Sequence, residues 1–201
     1  MEHWSYPDFV DQDRAAAARK NLEDQVPYGG SESYRHMCRF FSGFFFRHPL
    51  LDGFEYYWRM EPAVSFICNI QQDPFRYMKD HNISYGWNII VNEVMATIPT
   101  LWDTVRDYLR AHPTAAAPNN SLPALVYGEG QQSYYSGCHF WSNFEIGRLS
   151  FFRSEAYLRF FNHLDRARGF FYERWGDAPV HSLAAALLLP RTQLHRFNDI
   201  G

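Results

Sequence analysis

The sequence has little of what marks many common protein classes. Its three cysteines, Cys38, Cys68 and Cys138, form no CxxC pair, which argues against a structural zinc site. Their odd number leaves at least one thiol free or paired elsewhere. There is no HExxH, no GxSxG and no Walker-type phosphate loop, and the histidines show no metal-ligand spacing. A net charge of −3 gives no basic face to neutralise a nucleic-acid backbone, so no nucleic-acid partner is expected. No apolar run reaches membrane-spanning length; the longest, Phe40 to Phe46, is interrupted by Ser42 and Gly43 and ends at Arg47. Met1-Glu2-His3-Trp4 lacks the charged head and apolar stretch of a signal peptide. Internal repeats are absent.

What is present suits a packed core. The 201 residues are 46% hydrophobic and 18% aromatic, enough for one folded domain and unlike a disordered chain. Such a surplus of rings serves core packing, and it also serves sugar binding, since the apolar face of a pyranose packs on an aromatic face. Two glycosylation sequons, at Asn82 and Asn119, mildly favour a luminal protein.

Periodicity outlines alternating helices and strands. A helix is expected from about Asp8 to Glu23. A second follows Gly29-Gly30, capped by Ser31 or Ser33, with Met37, Phe40, Phe41, Phe44 and Phe45 on one buried face. Phe54 to Met60 and Val64 to Ile70 read as strands, and Asp73-Pro74 opens a short helix. Tyr85 to Val91 reads as a strand, and Ile98 to Leu109 as a helix. His112 to Tyr135 reads as one long loop, and His139 to Ile146 as a strand turning at Gly147. Phe152, Ala156 and Phe160 mark another helix, Ala184 to Leu189 a buried one, and Leu194 to Phe197 a last strand. The pattern favours an α/β sandwich with a mixed sheet flanked by helices.

Four segments concentrate chemistry. In Trp58-Arg59-Met60-Glu61-Pro62 a carboxylate follows a strand, at the sheet edge where open α/β sheets place ligands. There it suits Mg²⁺ or Mn²⁺ against a diphosphate, or is simply an exposed glutamate. Along Cys138 to Gly147, alternation sets Trp141, Asn143 and Glu145 on one side, a sugar-facing strip or a half-buried edge strand. In Phe170 to His181, Glu173 and Arg174 pair or bind ligand, and Asp177 caps the following helix or binds sugar. In Tyr28 to Arg35, glycines precede a helix N-terminus whose first turn carries Tyr34.

Together these segments resemble the fungal α-1,2-mannosyltransferases of glycosyltransferase family fifteen, the glycolipid 2-alpha-mannosyltransferases. The similar runs start at Tyr28 (YGGSESYRHMCRF), Ser42 (SGFFFRHPLL), Tyr56 (YYWRMEP), Thr97 (TIPTLW), Cys138 (CHFWSNFEIG) and Gly169 (GFFYERWGDAPVHS), and they cover nearly the whole chain in family order. The resemblance implies a GT-A-like fold and a retaining transfer from GDP-mannose, with Mn²⁺, to a mannose-terminated glycan on glycoproteins or glycolipids. It implies a Golgi lumen setting as a type II membrane protein. By the same resemblance Glu61 holds the metal, Tyr34 lies near the reacting sugar and Glu145 is a candidate nucleophile. Arg59 and Asp177 bind the acceptor mannose, and Trp141 and Glu173 form pocket wall. Tyr34 would be a poor free nucleophile, since phenol has a pKa of about 10.

The chain departs from the family pattern in ways that carry expectations. It is expected to be a single partial catalytic domain over residues 1–201, truncated at both ends. It would lack the N-terminal half-Rossmann segment and a following Tyr-X-His run whose histidine binds metal. Asn69 stands where the family usually has aspartate, and Ala63 where it has a polar residue. Such a piece is expected to expose sheet edges and to self-associate. A non-catalytic relative that binds mannosides or a partner is the alternative reading.

Overall fold

The computed structural model describes residues 4–127 and 135–200. Helix α1 (Gln12–Leu22) starts at Asp11, whose carboxylate accepts the Arg14 amide. Helix α2 (Glu32–Gly43) is capped by Ser31, whose Oγ accepts the Tyr34 amide at 3.2 Å. It does not bury the expected aromatic face. Arg35, His36, Cys38, Arg39 and Ser42 point inward, while Met37, Phe40, Phe41 and Phe44 are only half-buried and Phe45 lies beyond the helix end. Most of the inward polar groups are paired, while Arg35 Nη2 and His36 Nδ1 find no hydrogen-bond partner among the described residues. Arg39 forks onto Asp165 at 2.7 and 2.8 Å, and Arg35 donates to the carbonyls of Gly29, Ser31 and Glu173. Gly43 lets the helix approach Phe161, whose ring lies 2.0 Å from where a Cβ would stand.

Strand β1 (Tyr56–Met60) follows, then helix α3 (Pro74–Asp80), capped by Asp73 with Pro74 in its first turn. Between them Val64 to Ile70 is not a strand. A turn at Glu61 to Val64 redirects the chain, and no described strand pairs with the segment, which leaves Ile67 88% exposed. The expected strand Tyr85 to Val91 is two, β2 (Tyr85–Trp87) and β3 (Ile90–Asn92), in different sheets. Helix α4 (Leu101–Ala111) appears as expected. The loop from His112 is interrupted by α5 (Leu122–Tyr127), and residues 128–134 lie outside the described ones.

His139 to Ile146 likewise splits, into β4 (Cys138–Phe140) and β5 (Phe144–Arg148), because β4 pairs with β3 while β5 joins the main sheet; Gly147 lies inside β5. Phe152 ends α6 (Leu149–Phe152), and Ser154 caps a separate helix, α7 (Glu155–Arg166). Helix α8 (Gly169–Tyr172) leads to α9 (Asp177–Leu188), which is buried nearly all round, and β6 (Leu194–Arg196) closes the chain.

The main sheet has the order β1-β5-β2-β6, antiparallel except for the parallel β2–β6 pair, so it is mixed as expected. The larger apolar core lies between one sheet face and α2, α7 and α9. A smaller one, built on Phe144, Ile146, Met78 and Phe197, lies on the other face. Strands β1 and β2 run in the same direction, each antiparallel to β5. Their C-terminal ends meet at one edge with the β4–β5 turn and the N-terminus of α9.

Candidate active-site cleft

That edge holds a cleft of about 540 Å³. Strand alternation decides what β1 contributes. Tyr57 and Arg59 face α2 and α9, and Glu61 follows as the strand runs out. The Glu61 amide donates to Asn143 O at 3.3 Å, which ties Glu61 to the β4–β5 turn. The Val64 amide donates back to Glu61 O, and Pro62 and Ala63 form the corner with Ala63 at φ +66°.

Arg59 bridges two carboxylates. Its Nη1 donates to Asp177 Oδ2 at 2.5 Å, its Nε and Nη2 lie 2.8 and 2.7 Å from Glu61 Oε1, and its guanidinium stacks 4.0 Å over the Phe41 ring. Asp177 opens α9 but does not cap it; the cap residue is Gly176, and the carboxylate turns to Arg59 and Ser142. Burial pushes the Asp177 pKa up, but Arg59, His181 and Ser142 outweigh it and hold it below the usual value. Burial lowers the Arg59 pKa, but Asp177, Glu145 and Glu61 together raise it.

Tyr34, in the first turn of α2, lines the cleft. Its ring stacks on Tyr28 at 4.4 Å, and the Arg174 guanidinium lies 5.3 Å over it. Burial raises the Tyr34 pKa further than Arg174 lowers it, so the phenol keeps its proton. Trp141 lines the cleft from the β4–β5 turn. The structure therefore brings together Tyr34, Arg59, Glu61, Trp141 and Asp177, which lie far apart in the sequence.

Glu145 and Glu173 are placed differently. Glu145 does not share a side with Trp141 and Asn143, because the turn between β4 and β5 breaks the alternation. Its side chain is wholly buried behind the cleft. Oε1 accepts Tyr57 OH at 2.5 Å, and Oε2 accepts Tyr85 OH and His181 Nδ1, both at 2.7 Å. His181 Nε2 lies 3.0 Å from Phe41 O. Both its ring nitrogens thus face acceptors. Burial lowers the His181 pKa, but Glu145 outweighs it and raises it. Glu145 is pulled down in return, chiefly by His181 against its own burial. Glu173 is not among the residues lining the cleft and does not pair with Arg174. It accepts Thr100 Oγ1 at 2.6 Å and Trp175 Nε1 at 2.5 Å, while Arg174 meets Glu93 at 3.3 Å.

Sequence reasoning gave no role to Glu93 or His139, which line the cleft beside Asn143 and Arg174. His139, Asn143 and Arg174 lie inside runs it singled out. Glu93 carries no such signal, since it reaches the cleft only because β2 and β3 are separate strands.

The expected Mn²⁺ can be tested against the donors present. No group of three or more His, Cys, Asp or Glu among the described residues could hold a metal ion alone. Glu61 supplies one hard carboxylate, with Oε1 on Arg59 and Oε2 bonded to no described residue. A small divalent cation is commonly held by one or two carboxylates plus substrate phosphates, so Glu61 fits the group as one protein ligand.

The family described as glycolipid 2-alpha-mannosyltransferase matches residues 1–201. The chain belongs to that family. It is 54% identical over 201 residues to glycolipid 2-alpha-mannosyltransferase 2 of Candida albicans, covering 100% of this chain and 43% of that one. It is 52% identical to alpha-1,2 mannosyltransferase KTR1 of Saccharomyces cerevisiae, covering 100% and 51%. Among solved structures, core-mannan synthase A from Aspergillus fumigatus in its Mn/GDP form superposes with a TM-score of 0.94 at 45% identity, over 100% of this chain and 56% of that one. Ktr4p of S. cerevisiae in complex with GDP also gives 0.94, at 39% identity, over 100% and 52%. The fold is thus GT-A-like, and the chain spans about half the length of these relatives.

Proposed function

We propose that these residues form the acceptor side of a retaining α-1,2-mannosyltransferase, which moves mannose from GDP-mannose to a mannoside on glycoproteins or glycolipids. The observation that carries this is Arg59 held between Glu61 and Asp177 at the cleft edge of β1. It sets one carboxylate where a diphosphate-bound cation would sit and the other where sugar hydroxyls would.

Asp177 accepts hydroxyl hydrogen bonds, Arg59 donates them, and Trp141 offers its ring to the apolar face of the acceptor mannose. Tyr34, protonated and anchored by Tyr28, presents a polar oxygen toward the anomeric carbon, where positive charge develops. Glu61 is the residue that would hold Mn²⁺, which when bound draws charge off the departing diphosphate. Glu145 acts from behind: its oxygens are occupied by two phenols and an imidazole, so it fixes the floor under Arg59 and does not attack the sugar. Glu173 buttresses the wall through Thr100 and Trp175.

The similarity to fungal enzymes also supports a Golgi-luminal, type II membrane setting, although no described helix is long and apolar enough to cross a membrane. Endoglycosidase-sensitive glycosylation of the natural protein in a fungal host would support this setting, and its absence would count against it. The function is tested by Mn²⁺-dependent transfer from GDP-mannose to methyl α-mannoside. This chain would be compared with one extended by native flanking sequence to the length of its relatives. Transfer by either form supports the reading. Mannoside binding without transfer by either form supports a non-catalytic binder.

A further inference from the structure

The acid–base groups lining the cleft are almost all engaged. Glu61 and Asp177 both face Arg59, and Glu93 accepts the Val94 amide at 2.9 Å and meets Arg174. Tyr34 keeps its proton. His139 is different. It lies in β4, opposite Val91 of β3, and lines the cleft. Its Nδ1 lies 3.2 Å from Gly137 O. A carbonyl oxygen only accepts, so Nδ1 carries the hydrogen and the lone pair is on Nε2. No described residue bonds to Nε2, and the ring lines the cleft.

Resting on the mannosyltransferase reading above, we propose that His139 is the base that takes the proton from the attacking hydroxyl of the acceptor mannose. As the hydroxyl oxygen bonds to the anomeric carbon of the donor, its O–H bond breaks and the proton goes to Nε2. The electron pair of the mannosyl–phosphate bond leaves with GDP. The groups facing the ring suit a proton that is held briefly and then released. Glu93, from the end of β3, and Asp177, from the start of α9, favour the imidazolium, and Arg174 opposes it. Burial dominates and lowers the pKa below the usual 6.5, so the ring is neutral and ready at neutral pH.

The test is His139→Gln, whose amide oxygen accepts a hydrogen bond but cannot take the proton. In an active form of the enzyme, kcat is expected to fall roughly 10²- to 10⁴-fold with little change in the acceptor KM. The acidic limb of the kcat/KM profile should disappear with it. A variant with wild-type kcat, or one that keeps that limb, overturns the proposal and leaves the function intact. A wild type without transfer sinks the function itself. Nitrogen NMR of the wild-type imidazole needs neither activity nor a variant. It should show a neutral ring protonated at Nδ1, whose Nε2 signal moves when methyl α-mannoside binds. A hydrogen on Nε2, or no movement in a protein that binds the sugar, contradicts the proposal.

Discussion

Arg59 Nη1 meets Asp177 Oδ2 at 2.5 Å, joining the end of β1 to the first turn of α9 across 118 residues of sequence. Both side chains are more than nine-tenths buried, so each depends on the other to be charged there. Arg59→Ala leaves Asp177 buried without its paired cation and should cost about 3–5 kcal/mol. Arg59→Lys keeps the charge but loses the fork and the stack on Phe41, and should cost less. Urea unfolding checks the order, and equal losses for the two variants would refute it.

The Glu145–His181 pair sets a pH window. His181 is raised from 6.5, so its contribution is full below that value and is lost as pH rises through the folded pKa. Glu145 and Asp177 are lowered from 4.5 and 3.8, so their contributions are present above those values and are lost as pH falls through the depressed ones. Stability should therefore peak between about pH 5 and 7 and fall on both sides. Glu145→Gln should remove the alkaline dependence by releasing His181, while mannoside binding survives. Denaturation at several pH values tests this, and an unchanged profile in the variant would count against the pair.

Ala63 occupies a left-handed corner, φ +66°, two residues after the proposed metal carboxylate. A side chain there costs about 1 kcal/mol relative to glycine. Ala63→Gly should raise the melting temperature by roughly 2–4 °C. A lower melting temperature would show that the turn is held in that form by something else.

Beyond that corner Ile67 is 88% exposed, and Met60, on the edge strand β1, is 53% exposed. These apolar groups should drive self-association that grows with concentration, and Ile67→Lys should weaken it without lowering stability. Light scattering over a dilution series checks both. A monomer at every concentration would remove the basis for this prediction.

Much of the fold could be read from local signals. Ser31 caps α2 and Asp73 opens α3 as their chemistry suggests, and Leu194 to Arg196 forms the last strand, while α1 starts at Asp11, later than the expected Asp8. The failures have tertiary causes. Helix α2 shows five apolar side chains at helical spacing. It buries Arg35 and Arg39 instead, because Asp165 accepts both donors of Arg39 and the carbonyls of Gly29, Ser31 and Glu173 accept from Arg35. Trp141 and Glu145 share parity in the sequence and lie on different sides, because the chain changes sheets between β4 and β5. Glu61, Trp141, Asp177 and Tyr34 stood out in their own segments, and the resemblance to a family gave their roles and that of Arg59. His139 was passed over because one histidine in a strand has no distinguishing pattern until Gly137 O fixes its tautomer.

The cleft lined by Arg59 and Asp177 is proposed to hold the acceptor mannose. The most direct measurement is the affinity of this chain for methyl α-mannoside, by calorimetry or ligand-observed NMR, in the wild type and in Asp177→Asn. We predict measurable binding that weakens at least about tenfold in the variant, as expected for a lost hydrogen bond to a charged group. Equal affinities in two folded proteins would contradict the account.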